Sequence, residues 1–269
     1  MPHPLDAAIA LTPLGEGRFA GATTADYWNM AGPFGGATAA VMLRAVLDHP
    51  DCRGRPAALT VNYCGAVAEG AFEVFVRLVR DGRSTQHWSV EQSQAGGGIT
   101  TTASVVTGAE RHTWAHPMAA MPQVARWDQT PVAEGTVPVA WRKNYDMRFL
   151  TGGPRPLAPD GAVMSPVTRM WVRDMPLRPV DYPALAAISD AFLPRIFMVR
   201  GDFSPVATVT LSTYFLADAA ALARQGDRPL LAVCDGAAFK YGFNDQSAQL
   251  WSDDGELLAV SNQLVWFKG

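Results

Sequence analysis

Apolar and polar residues alternate along Phe72–Arg80 (FEVFVRLVR), as in a strand with one face on a core. The run ends at Asp81–Gly82, a hairpin signal. Ser84–Gln94 then returns, Gly96–Gly98 turns again, and Ile99–Thr107 is rich in β-formers. With Ala57–Ala66 ahead of them, these segments predict four consecutive antiparallel strands. A different pattern precedes them: Gly35–Leu47 (GGATAAVMLRAVL) is apolar on nearly every face, which predicts a buried helix. The same succession recurs downstream. Pro183–Met198 (PALAAISDAFLPRIFM) predicts a second buried helix, followed by strands Val206–Leu216, Leu230–Gly236, Ala237–Trp251 and Glu256–Phe267. The turn Asp254–Gly255 takes the place of Gly96–Gly98. Asn144–Leu150 and Val167–Arg173 are predicted strands that open this second unit, with Gly152–Pro166 as a loop between them.

A supersecondary unit written twice fixes the architecture. A long buried helix wrapped by a curved antiparallel sheet is the hotdog arrangement, so the expected fold is α+β, a double hotdog. Pairing the two sheets would cover edges that each unit alone leaves open. The expected division is 1–112 for the first unit, 113–140 for a Pro-rich connector and 141–269 for the second unit.

Composition narrows the function classes. With 48% hydrophobic residues in 269, a large core is available, and a net charge of −3 gives no reason to expect a nucleic-acid or membrane-surface partner. No apolar run approaches the roughly 20 residues that span a bilayer. The N-terminus lacks the basic region of a signal peptide. Cys52, Cys64 and Cys234 have no short spacing, as expected of reduced thiols in a cytoplasm.

Three polar residues stand out against apolar surroundings. Asp190 lies within the second predicted helix, where it is either an exposed acid on a solvent-facing stripe or a general base. Gln263 shares a strand face with Leu257, Ala259, Ser261, Val265 and Phe267, so its amide needs partners, either structural or functional. Thr208 is expected on one face with Thr210, Ser212 and Tyr214, and packing alone accounts for threonine in a strand. His112 and His116 lack a third ligand and an evident helix, so no metal site is expected. No Gly-x-Ser-x-Gly elbow is present, against a serine hydrolase of the α/β type. Arg142, Lys143, Arg148, Arg169 and Arg173 form the densest basic region, read as solvated strand edges or as partners for a phosphate-bearing ligand.

Gly35–Gly36, the Arg80-Asp81-Gly82-Arg83-Ser84 hairpin, Ser189-Asp190 before Leu193-Pro194, Ala207-Thr208, and Asp254-Gly255 with Gln263 eight residues after the glycine together resemble the type II acyl-CoA thioesterases. The resemblance covers most of the chain and implies hydrolysis of an acyl-CoA thioester. It assigns water activation to Asp190, Thr208 and Gln263. The first half has no equivalent triad, and backbone N–H groups at Gly35 and Gly36 are expected there as an oxyanion hole for the substrate or as a partner surface. The resemblance calls for no cofactor and leaves room for a homo-oligomer. The alternatives are a non-catalytic acyl-CoA or acyl-chain binding protein, and a hydratase. The hydratase is disfavoured because the last histidine in the chain is His116.

Overall fold

The computed structural model describes residues 2–111, 113–132, 138–154, 162–201 and 203–269. His112, part of the connector (133–137) and part of the loop Gly152–Pro166 (155–161) lie outside the described residues.

A short helix, α1 (Pro4–Ala8), and a hairpin of β1 (Thr12–Gly15) and β2 (Arg18–Ala22) open the chain. Helix α2 (Gly35–Leu47) follows, with the predicted limits. Next come β3 (Arg55–Tyr63), β4 (Ala71–Asp81), β5 (Thr85–Ser93) and β6 (Ile99–Gly108). The second half runs β7 (Tyr145–Thr151), β8 (Thr168–Asp174), α3 (Tyr182–Ile188), α4 (Arg195–Arg200), β9 (Val206–Phe215), α5 (Ala219–Gln225), β10 (Leu230–Asp235), β11 (Phe239–Lys240), β12 (Phe243–Trp251) and β13 (Leu257–Phe267).

Among the described residues these strands form one antiparallel sheet in the order β1-β2-β4-β5-β6-β3-β9-β13-β12-β10-β8-β7, with β11 on β12. The order reads alike from both ends. β3 and β9, each the first strand after its helices, meet at the centre and join the halves. Val61 lies opposite Leu211 in that junction, both fully buried. One position along, on the opposite face, Thr60 Oγ1 and Ser212 Oγ share a hydrogen bond of 2.9 Å.

The inner face of the sheet carries Leu59, Val74, Val76, Trp88, Val90 and Val105 against α2, and Leu211, Leu230 and Ala259 belong to the same core with α3. Met42, Leu43, Leu185 and Ile188 are fully buried. Each such side chain contributes about 1.5–3 kcal/mol by leaving water. On the outer face of the second half, Trp171, Leu231 and Trp251 form a smaller core beneath Met121, Val124 and Trp127 of the connector. The Trp171 indole N–H donates to the Ala125 carbonyl at 2.9 Å. No described helix is long and apolar enough to cross a membrane.

Three expectations are corrected. Pro183–Met198 is two short helices, α3 and α4, rather than one. Pro194 has no N–H to give the carbonyl of Asp190 four residues back, and its ring would collide with that carbonyl. The chain tightens first, with Asp190 and Ala191 donating to the carbonyls of Ala187 and Ile188 at 3.2 and 3.0 Å, and α3 stops. Ala237–Trp251 is not one strand, because Tyr241 (φ 56°) and Gly242 (φ 75°) turn between β11 and β12. Thr208 does not share a face with Thr210. Leu264 of β13 pairs with Thr210, but the next residue, Val265, pairs with Thr208. The extra residue in β9 is a β-bulge that moves Thr208 to the inner face. The sequence reading also passed over α5, which is capped by the Asp218 carboxylate on the Ala221 N–H at 2.7 Å.

Candidate active site

The break between α3 and α4 lies over the inner face of β12 and β13 and beside the start of α2. Asp190 projects from it. The Gln263 amide Nε2 donates to Asp190 Oδ1 at 2.8 Å and to the Ser189 carbonyl at 3.3 Å, so both of its N–H groups are engaged. The Gly36 backbone N–H lies near the Asp190 carboxyl and favours its charged form. Burial outweighs these two favourable contacts and pushes the Asp190 pKa up to about 7. A carboxyl with that value holds a useful fraction of base at neutral pH and still retains a proton well.

The approach of Asp190 to α2 requires glycine. A methyl group at Gly35 would sit 2.7 Å from Asp190 Oδ2 and 3.3 Å from the Tyr63 hydroxyl. At Gly36 it would sit 2.3 Å from the carbonyl oxygen of Ala187, so the two helices touch backbone to backbone there. The Tyr63 hydroxyl donates to the Gly35 carbonyl at 2.8 Å, and burial holds that hydroxyl protonated.

Asp190, Gln263, Gly35 and Tyr63 line a cavity of about 260 Å³. Phe34 and Trp141, stacked with ring centroids 4.2 Å apart, form one wall. Phe192, Leu193 and Phe197 cover it from the break and from α4. Thr208 lines it beside Val265, its cross-strand partner, and Gln246 lines it opposite Gln263 in the ladder. The exposed side chains of Met30 and Phe203 mark its mouth. The volume lies below the roughly 300–1,000 Å³ of pockets that enclose drug-sized ligands. A small group bearing a reactive carbonyl fits, with a carboxyl base, an amide and a hydroxyl around it.

Asp190, Gln263, Gly35 and Thr208 thus border one cavity, with Asp190 and Gln263 in direct contact, whereas Gly36 packs against the Ala187 carbonyl and does not line it. The basic region does not join them. Arg148 and Arg173 stack on Trp127, with guanidinium carbons 3.9 and 4.6 Å from the ring centre, and the Arg142 guanidinium donates to the Tyr145 carbonyl at 2.7 Å. Sequence reasoning missed Tyr63, Trp141 and Gln246. A glutamine among the inward positions of β12 was the one visible signal, obscured by running that strand back to Ala237.

The model of the acyl-CoA thioesterase N-terminal domain matches residues 24–108, and that of the acyl-CoA thioesterase C-terminal domain matches residues 116–267. A search of the curated proteins finds no match. Among solved structures, a conserved protein of unknown function with a hot dog fold from Alicyclobacillus acidocaldarius is 39% identical, with 100% of this chain and 99% of that chain covered and a TM-score of 0.94. A thioesterase II described as putative from Thermobifida fusca is 21% identical over 99% of this chain and 98% of its own, with a TM-score of 0.83. An acyl-CoA thioesterase II from Mycobacterium marinum is 20% identical over 98% of each chain, with a TM-score of 0.77. The last two, at that identity, bear on the fold alone. A hotdog fold across the whole chain, with thioesterase domain models matching both halves, leads to one assignment: the chain belongs to the acyl-CoA thioesterase family.

Proposed function

We propose that the protein hydrolyses an acyl-CoA thioester to the free acid and CoA, with Asp190 as the base that activates water. The contact between the Gln263 amide and Asp190 Oδ1 at the floor of an apolar cavity carries this reading. Both N–H groups of Gln263 are engaged, so its carbonyl oxygen is the atom left to accept from a water. That water donates to Asp190 and to Gln263, accepts from the Thr208 hydroxyl, and turns its other lone pair to the thioester carbon. As the C–O bond forms, Asp190 takes the proton. When the tetrahedral intermediate collapses, the C–S bond breaks and the proton passes to the departing CoA thiolate. Positioned base catalysis of this kind supplies about 10²–10⁴ in rate. N–H groups in the first turn of α2, at Gly35, face developing negative charge with the positive end of the helix dipole.

The mirrored strand order supports two fused hotdog units, 1–112 and 141–269, linked by 113–140. The base lies in the second unit, while Gly35, Gly36 and Tyr63 from the first complete its surroundings. Steady-state hydrolysis of a panel of acyl-CoA chain lengths, followed with a free-thiol reagent, tests the function. Turnover that disappears in Asp190→Asn supports it. Tight binding without turnover in the parent assigns the chain instead to acyl-CoA binding.

A further inference from the structure

Gln246 lies on the floor of the cavity, and the mechanism above does not use it. It is 3% exposed, and its Oε1 is buried with no hydrogen-bond partner among the described residues. A buried amide oxygen left unpaired carries a desolvation cost that a ligand donor would relieve. It faces Gln263 directly across the β12–β13 ladder. Side chains so paired stand about 4.5–5.5 Å apart at Cβ, so Gln246 is one residue's reach from the carbon under attack.

We infer that Gln246 reads an oxygen function, a hydroxyl or a carbonyl, on the acyl carbons next to the thioester. The protein thereby selects oxygenated acyl groups over plain alkyl chains of the same length. This rests on the thioesterase reading and names its substrate class. Three observations carry it. The cavity of about 260 Å³ is too small for the nucleotide of CoA, so the coenzyme stays outside and the acyl group fills the interior. The mouth is at exposed Met30 and Phe203, whereas Gln246 and Gln263 are buried, so Gln246 faces the acyl end. The Gln246 Oε1 has no hydrogen-bond partner among the described residues, and the apolar side chains of the lining, Phe192, Phe197 and Val265 among them, can supply none. An alkyl chain would leave Gln246 unpaired in the complex, whereas a hydroxyl can both donate to and accept from it. Sites built to hydrogen-bond a substrate discriminate strongly against the analogue that lacks the group.

The test compares kcat/KM for racemic 3-hydroxybutyryl-CoA, acetoacetyl-CoA and butyryl-CoA in the parent and in Gln246→Leu, with Gln246→Met as the second variant should the first fail to fold. The parent is expected to favour at least one oxygenated substrate by about tenfold or more, the worth of one good hydrogen bond. The substitution is expected to bring that ratio close to one. A parent ratio near one for both oxygenated substrates overturns the inference. So does a ratio that the substitution leaves unmoved, or an equal loss on all three thioesters, which would place Gln246 against the CoA arm. If the parent hydrolyses none of the three, thermal shifts with the same thioesters decide this inference, and the thioesterase reading falls only if the whole panel of chain lengths is left intact. The oxygenated compound must then stabilise the parent more than butyryl-CoA does, and the variant must lose the difference.

Discussion

The amide of Gln263 lies 2.8 Å from the carboxyl of Asp190, although 73 residues separate them in the chain. The contact joins the last strand of the sheet to the break that follows α3. It opposes the desolvation that pushes the Asp190 carboxyl up to about 7.

Asp190→Asn is expected to lower kcat by about 10²-fold or more, with the fold retained because the change is nearly isosteric. Its effect on stability carries a sign. The folded-state pKa lies above the ordinary carboxyl value, so folding binds the proton more tightly. The parent therefore loses stability as pH rises from about 4 to about 7. The variant lacks this loss. Thermal melts should show Asp190→Asn gaining on the parent through that window and holding the gain above it. A gain that is equal at pH 4 and pH 8 would contradict the desolvated carboxyl.

Gln263→Leu removes a hydrogen bond that favours the charged form of Asp190. The pKa of the base is then expected to rise further. In the pH profile of kcat/KM, the ascending limb should move to higher pH, with a larger deficit at pH 7 than at pH 9. A uniform loss at every pH would show that Gln263 only holds the protein or the substrate in place.

Thr208→Val keeps the shape and removes the hydroxyl. A single neutral hydrogen bond is worth about 0.5–1.5 kcal/mol, so kcat is expected to fall by up to about tenfold. Unchanged turnover would strike Thr208 from the proposed mechanism.

Two neighbouring glycines are expected to fail differently. Gly35→Ala puts a methyl group 2.7 Å from Asp190 Oδ2, a side-chain atom that can move, so activity should drop by about tenfold or more with little change in stability. Gly36→Ala meets the Ala187 backbone carbonyl at 2.3 Å and must part α2 from α3. Overpacking of that kind costs about 1–3 kcal/mol, read as a lower denaturant midpoint.

Local chemistry made much of the fold legible. The limits of α2 follow from an apolar run that opens with two glycines, and β4 follows from its alternation and from the turn after Asp81. The mirrored sheet follows from the repeat. What stayed hidden depends on single residues whose effect is geometric. Pro194 was visible, yet its collision with the Asp190 carbonyl was outweighed by the apolar character of the whole run. The bulge in β9 leaves no trace in composition. Asp190 and Gln263 were legible as polar residues in apolar surroundings, and the family resemblance linked them. Gln246 owes its place to the register of β12 against β13, which is set only when the sheet assembles.

The bulge in β9 has a broader meaning for how this molecule stores information. In a ladder, the side of the sheet a residue faces is a matter of odd or even count. One extra residue between Thr210 and Thr208 reverses that parity for all that precedes it on the strand. The Thr208 hydroxyl therefore borders the cavity because of a number, not because of the chemistry of its neighbours. Were the bulge to relax with Val209 in place, Val209 would take the position opposite Val265 and Thr208 would turn to the outer face, with every side chain intact. The arrangement thus hangs on one irregularity in the ladder, and a change that smooths the strand would erase it while leaving every residue in place.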